Sequence, residues 1–409
     1  RGCTQMPEVV ARNRSTLMRP RSISVDLRPS AVSEPLSLCP PCLRGTLLAL
    51  VASLLAITGC SLSTAPPFEL NREGRDPAGI PAEQVTAVQQ SLQKLFGTPD
   101  SPALPAGVTL DWNLLKAAAG PIRGEADGRQ WGLYRRHCAG CHGISGDGAG
   151  PAAVVLAPYP RDYRNGVFKY TSTAPGAKPV RTDLVRTIQH GIPGTAMPSF
   201  RRLPTEEQAA VVEYVQYLSL RGETELQLLQ AIVDEEADLQ DVDEIARESV
   251  LRAAKAWQNA QTSLPVDGAT TAESDAALKK SVERGQRLFV SPAVPCARCH
   301  GLAGNGRGEQ SELYDDWNKR KLGATPEQTR QLAGRFKLPI EQLHPRDFTK
   351  GLFHGGDRPE EQYLRIYNGI KGTPMPAFGQ SPGNPGVLTP QQIRDLVQYV
   401  RSLGPVGRL

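Results

Sequence analysis

Two strings, Cys138-Ala139-Gly140-Cys141-His142 and Cys296-Ala297-Arg298-Cys299-His300, each set two thiols three positions apart with an imidazole directly after the second. On one helical turn the two thiols share a face. They can form thioethers to both vinyl groups of a haem while the histidine presents a nitrogen to its iron. The strings therefore imply two covalently bound haem c groups, attached through Cys138, Cys141, Cys296 and Cys299 and ligated by His142 and His300. A zinc ribbon needs its two Cys pairs ~15 to 20 residues apart, whereas Cys141 and Cys296 are separated by 155. A thioredoxin-like redox pair needs no histidine after the second thiol and no second copy.

Each iron needs a second axial partner, and the methionines are few enough to search. Of four, Met6 and Met18 lie near the start of the chain, and Met197 and Met375 share the frame Gly-Thr-x-Met-Pro with an aromatic two positions further on. A methionine is normally a core filler. On a Gly/Pro-rich loop after a helix, its soft thioether is instead a distal haem ligand, and it raises the reduction potential. No histidine competes: His190 aligns with Asn368, His354 with Lys169, His344 with Tyr159 and His137 with Pro295. All four are read as loop, cap or surface residues.

These residues belong to a repeat. After each string comes one glycine frame: Gly143, Gly146, Gly148 and Gly150, then Gly301, Gly304, Gly306 and Gly308, which predicts a loop with positive φ close to the haem edge. Pro160-Arg161-Asp162-Tyr163 with Gly166 and Phe168 returns as Pro345-Arg346-Asp347-Phe348 with Gly351 and Phe353. Gly191 to Phe200 returns as Gly369 to Phe378, and Val212-Glu213-Tyr214-Val215 as Val397-Gln398-Tyr399-Val400 in a closing amphipathic helix. Arg161 and Arg346 are candidate haem-propionate partners through bidentate pairing. An ion pair with Asp162 or Asp347 is the equal alternative. Tyr134, Phe168, Phe289 and Phe353 are expected to line or abut the pockets.

The elements that carry the repeat are helices and ordered loops, since 39 Gly and 35 Pro in 409 residues stay below the ~25 to 30% at which disorder becomes the default. Residues 1–60 read as a leader with a lipoprotein-type signal peptide. Thr46–Gly59 is an uncharged, mostly apolar run, too short for a ~20-residue span, and Ile57-Thr58-Gly59-Cys60 resembles a lipobox whose Cys is lipidated. A plain cleaved signal or a short anchor is the alternative, and all three export the protein. The chain opens on Arg1, so residues 1–43 are set aside as a possible upstream extension. Cys39-Pro40-Pro41-Cys42 lacks a following His and is not a haem string. Without residues 1–60 the charge falls from +5 to 40 basic against 39 acidic groups, which removes any support for nucleic-acid binding.

Residues 61–127 form an N-terminal strap with one helix, Pro81 to Phe96; 128–220 hold the first haem domain; 221–277 are an acidic helical spacer and linker; 278–405 hold the second. The spacer has ten acidic residues and two arginines between 221 and 250. It is read as a solvated face, with docking of a basic partner as the rival. The second copy is longer, 75 residues from His300 to Met375 against 55 from His142 to Met197. Its insert carries Trp317 and Lys319-Arg320-Lys321, also read as solvated.

Together the strings, the methionine frames and the closing helices resemble a tandem dihaem member of the class I cytochrome c superfamily, over about 130–220 and 278–405. The resemblance implies a mainly α fold of two cytochrome c domains joined by the acidic spacer. It also implies that the Pro151 carbonyl accepts the His142 Nδ1 proton; Glu309 stands at the equivalent place in the second copy, which leaves the acceptor for His300 open. With both axial positions filled by protein, the expected activity is single-electron transfer between respiratory partners on the extracytoplasmic side of a bacterial membrane, not catalysis. A dihaem peroxidase would need an exchangeable iron position, against two matching Met frames. An electron-accepting subunit of a dehydrogenase, or a donor to a terminal oxidase, differs only in partner.

Overall fold

Among the described residues helices form wherever the apolar spacing is helical, and one short two-stranded ribbon interrupts them. The computed structural model describes residues 66–72, 75, 79–262, 266, 274–315, 325–380 and 383–405. The expectations for the leader, Cys60, Trp317 and Lys319 to Lys321 lie outside these residues. Along the chain run α1 (Ala82–Phe96), α2 (Trp112–Ala118), the antiparallel pair β1 (Arg123–Gly124) and β2 (Gln130–Trp131), α3 (Leu133–His137), α4 (Ala139–His142), α5 (Arg181–His190), α6 (Thr205–Leu229), α7 (Val242–Thr262), α8 (Asp275–Phe289), α9 (Cys296–His300), α10 (Pro326–Ala333), α11 (Pro359–Asn368) and α12 (Pro390–Ser402). No helix among the described residues is long and apolar enough to cross a membrane.

The strap helix starts at Ala82 and ends at Phe96, and buries Val88, Leu92 and Phe96, as its stripe predicts. A second strap helix, α2, was not legible in a Pro-rich stretch. It forms because the Asp111 side chain caps it, accepting from the amides of Asn113 (2.8 Å) and Leu114 (3.1 Å). It ends at Ala119-Gly120-Pro121, where a glycine at φ +84° and a proline stop the helix.

The first haem string therefore does not follow one continuous helix. The ribbon β1–β2 separates α2 from the short α3, and α2 takes the packing place against α6. In the second copy α8 is continuous through fifteen residues and packs directly on α12.

The expected boundary after residue 220 falls inside α6, which runs unbroken to Leu229 and continues as a single π-helical turn, Gln230–Asp234. The acidic spacer then folds back as α7 against α6 and α1. Its Val250, Ala253 and Trp257 join one core with Phe68, Leu92, Leu115, Leu133, Tyr214 and Leu218. Strap, first haem segment and spacer thus form one lobe. Trp257 is 1% exposed, and its indole N–H donates to Glu223 Oε1 at 3.2 Å. Glu223 and Glu225 of the acidic run point inward; Glu235, Glu236, Asp238, Asp241, Glu244 and Glu248 remain exposed.

The second lobe has a smaller core around Phe289, Tyr363, Ile393, Leu396, Val397 and Tyr399. Gly285 lets α8 approach α12: a Cβ there would fall 2.6 Å from the Asp395 carbonyl carbon. The same crossing is clamped by the Asp395 carboxylate, which accepts from Ser281 Oγ (2.6 Å) and from Arg284 Nε and Nη2 (both 2.7 Å). Burial pulls this carboxyl up, but the hydrogen bonds from Arg284, Ser281 and Gln391 outweigh it, so its pKa lies below the usual value. A depressed folded pKa means the clamp stabilises the lobe above the unfolded value of about 3.9 and is lost as pH falls through the lower folded value. Thermal melts below about pH 4 should show this loss in the wild type and a flatter pH dependence in Asp395→Asn.

Candidate haem sites

Each string forms one turn of helix, α4 or α9, closed by a glycine at φ +73° (Gly143) or +76° (Gly301). Gly146 and Gly148, and likewise Gly304 and Gly306, have φ between +66° and +75°, as the repeated frame predicts. The fourth glycine is needed for contact rather than conformation. At Gly150 a Cβ would meet the Ala139 carbonyl at 2.6 Å, and at Gly308 the Cys299 carbonyl at 2.5 Å. The loop is wrapped onto the backbone of the thiol-bearing turn and fixes it. Cys138, Cys141, Cys296 and Cys299 form no disulfide. Burial pushes the Cys138 thiol up to about 12 and that of Cys296 to about 11, so both stay uncharged until alkylated.

The Nδ1 acceptor corrects the expectation placed on Pro151. His142 Nδ1 donates to the Arg161 carbonyl at 3.0 Å, and His300 Nδ1 to the Arg346 carbonyl at 3.1 Å. Pro151 is exposed at the start of a short turn that packs on the Gly140 carbonyl through Ala152. The Pro-Arg-Asp segment instead passes beside the imidazole, held by Tyr163 N to Gly146 O (2.7 Å) and Phe348 N to Gly304 O (2.8 Å). The acceptor is thus a repeated residue in both copies. Burial lowers the His142 pKa to about 4 and lowers that of His300 as well. Both rings are neutral at pH 7, with Nδ1 carrying the proton and Nε2 making no protein hydrogen bond among the described residues.

Aromatic rings back the imidazoles in the same way twice. His142 stacks on Tyr163 (4.7 Å, 19°), and Tyr163 on Phe168 (6.1 Å, 16°). His300 stacks on Phe348 (4.4 Å, 24°), and Phe348 on Phe353 (5.9 Å, 17°). Tyr163 and Phe348 were visible in the repeat but not singled out. Tyr134 works from the core, its hydroxyl donating to the Gly143 carbonyl at 2.8 Å. Phe289 abuts Phe348 at 6.4 Å.

The methionine loops are duplicates at the level of hydrogen bonds. Thr195 Oγ1 donates to Ile192 O (2.9 Å) and accepts from Met197 N (3.1 Å); Ile192 N donates to Met197 O (3.1 Å). Thr373 Oγ1 donates to Ile370 O (2.7 Å) and accepts from Met375 N (3.3 Å), with Ile370 N to Met375 O at 3.2 Å. Gly191 and Gly369 end α5 and α11, and a Cβ on either would meet the Met carbonyl at 2.6 Å. The threonine pins each methionine backbone, and the helix end sets where the loop starts.

Arg161 and Arg346 reach neither neighbouring aspartate. Asp162 is taken by Arg164, a fork with Nε at 3.0 Å and Nη2 at 2.8 Å in which both residues are fully buried. Asp347 caps Thr349 and pairs with Lys350. Arg161 spends Nε on Val167 O (2.7 Å) and Nη2 on Lys371 O (3.1 Å), in the loop that carries Met375. Arg346 donates to His354, and Leu352 and His354 in turn lie against Gly194, in the loop that carries Met197. His354, aligned away from any ligand position, therefore sits between the lobes; burial and the Arg346 charge lower its pKa to about 4. Asn368 Nδ2 to Thr171 O (3.0 Å) and Lys371 Nζ to Ala177 O (2.6 Å) complete the junction. From the insert, Lys337 pairs with Glu69 and Asp147 of the first lobe.

These residues suit a covalent haem: uncommitted thiols on one turn, a neutral imidazole with Nδ1 taken, and a thioether on a pinned loop. A family model, Cytochrome c, matches residues 126–219 and 282–404, more than half of the chain. The chain belongs to the cytochrome c family. Covalently bound haem c is accordingly the cofactor of this cytochrome, and electron transfer its activity. No curated protein matches the sequence. Among solved structures, a chain of the Kuenenia stuttgartiensis reducing HAO-like protein complex Kustc0457/Kustc0458 is similar, with 25% identity over 67% of this cytochrome and 94% of that chain and a TM-score of 0.47.

Proposed function

We propose that this cytochrome is a dihaem single-electron carrier, with His142 and Met197 as axial ligands in the first lobe and His300 and Met375 in the second. The observation that carries the reading is the duplication of the site down to its hydrogen bonds, from the Nδ1–carbonyl contact to the Thr–Met loop. When bound, haem supplies a one-electron ferric/ferrous couple. The polypeptide would supply both iron ligands of each haem from segments pinned by their own hydrogen bonds. It shields each imidazole behind two stacked rings and joins the two methionine loops to the opposite lobe through Arg161 and the Arg346–His354 pair. Such a molecule accepts and gives electrons without offering an iron position to substrate.

The apolar run ending at Cys60 supports export and a lipid anchor on the extracytoplasmic face of a bacterial membrane, with respiratory oxidase, dehydrogenase or other redox complexes as partners. Labelled palmitate should enter the wild type and not Cys60→Ser; no label in either removes the anchor. For the carrier itself, coulometric reduction should take up two electrons per chain. Uptake of one electron would leave a single working haem and end the two-site reading.

A further inference from the structure

Two kinds of contact join the lobes. Around Tyr170, whose ring lies 4.7 Å from the Arg365 guanidinium and fills the space beside Gly355, they are packing and hydrogen bonds. The insert of the second copy adds charge. Gly308 and His344 stand 36 positions apart where Gly150 and Tyr159 stand nine apart. The base of this excess is closed by Leu343 N to Leu313 O at 2.7 Å and by the bridge between Tyr314 and Gln342. From that base Asp315 meets Lys169 of the first lobe at 3.7 Å. Beyond α10, Lys337 reaches Glu69 Oε2 and Asp147 Oδ2, both at 2.5 Å.

Asp147 lies in the glycine loop after the first haem string, between Gly146 and Gly148, and is 9% exposed. Its Oδ1 accepts from Ala149 N at 3.1 Å and occupies the space that a side chain at Gly143, directly after His142, would take. Two acids, Asp147 and Asp162, interact electrostatically with the His142 imidazole. Each is met by one cation: Asp162 by Arg164 of its own segment, Asp147 by Lys337 of the opposite lobe. The Glu69 amide donates to Ser145 Oγ of the same loop at 2.8 Å, so strap, loop and insert meet at one ammonium. Burial pulls the Lys337 pKa down, but its hydrogen bonds to Asp147 and Glu69 outweigh it; the pKa lies above the usual value and the group is charged at pH 7. In the second copy Asn305 stands in the place of Asp147 and asks for no such cation.

An anion beside an iron ligand favours the ferric state, and a cation that meets it offsets that preference. We infer that Lys337, carried by the insert of the second lobe, holds up the potential of the first haem by neutralising Asp147. The inference rests on the two-haem reading for its setting. It makes the insert the means by which one lobe sets the redox level of the other.

The test uses the full-length holoprotein, titrated spectroelectrochemically at low ionic strength, where a partly exposed charge is least screened. Lys337→Gln should shift the first haem tenfold toward the ferric form, about 59 mV for one electron, and leave the second in place. Lys337→Arg keeps the charge and should keep the potential. Asp147→Asn should shift the first haem the other way. Lys337→Gln combined with Asp147→Asn removes both charges and should return the first haem to within about twofold of the wild-type equilibrium. Structural damage does not produce that recovery, and the double variant also serves if a single one folds poorly. Unchanged potentials in Lys337→Gln, equal shifts of both haems, or a double variant that stays as low as Lys337→Gln would overturn the inference. A wild type that lacks only the second haem would contradict the two-haem reading alone, since the charge series still decides Lys337; one that lacks only the first would overturn both.

Discussion

Met375→Ala lowers the midpoint potential of the second haem by on the order of 0.2 V, a fraction of the ~0.8 V that axial ligands command, and abolishes its weak thioether-to-iron absorption. The first haem keeps its band, and Met197→Ala gives the mirror result. The reason lies in the loop: with Thr373 pinning residue 375 and Gly369 fixing the loop start, the backbone stays in place while the soft donor is lost. A harder replacement ligand, or none, favours the ferric ion. At about 59 mV per tenfold, 0.2 V is roughly three decades in the ferric/ferrous equilibrium, well outside what a packing change delivers. Redox titration with near-infrared absorption checks both parts, and a variant that retains both bands and both potentials would remove the methionine assignment.

Arg164→Ala has the largest expected effect on stability, about 3 to 5 kcal/mol for breaking one side of a buried ion pair. Asp162 accepts from the Arg164 amide and from two guanidinium nitrogens, and both residues are fully buried. Truncation leaves the buried carboxylate without its fork. At ~2 to 4 °C per kcal/mol, the first lobe should melt on the order of 10 °C earlier. Asp162 directly follows Arg161, whose carbonyl orients His142, so the potential of the first haem should move as well. The second copy supplies the control. Asp347 is more exposed and caps Thr349 and pairs with Lys350 in place of an arginine fork, so Asp347→Ala should lower melting and shift potential far less than Arg164→Ala does. Equal melting of Arg164→Ala and wild type by calorimetry would show that the pair contributes nothing.

The repeat made the site legible, because thiols, ligands and loop glycines are specified by residue type and recur at matched positions. Beyond the second strap helix, three things were not legible, each for a physical reason. The Nδ1 acceptor is a backbone carbonyl, which every residue has, so spacing could not separate Pro151 from Arg161. The course of the spacer depends on which face of α7 finds apolar surface, and Val250 and Trp257 find it on the first lobe, whereas an acidic run read along the chain suggests only a solvated bridge. The junction is built where the copies differ. Tyr170 has Gly355 as its counterpart and Arg365 has Thr187, so a search for repetition discards the residues that let two similar lobes pack unequally.

The central claim is that both irons are closed by protein ligands. Carbon monoxide added to the fully reduced full-length protein tests it most directly. Two six-coordinate His/Met haems predict no change in either Soret band at neutral pH. A carbon monoxide shift in one band, accompanied by peroxide turnover, would contradict the account and make the protein a dihaem peroxidase.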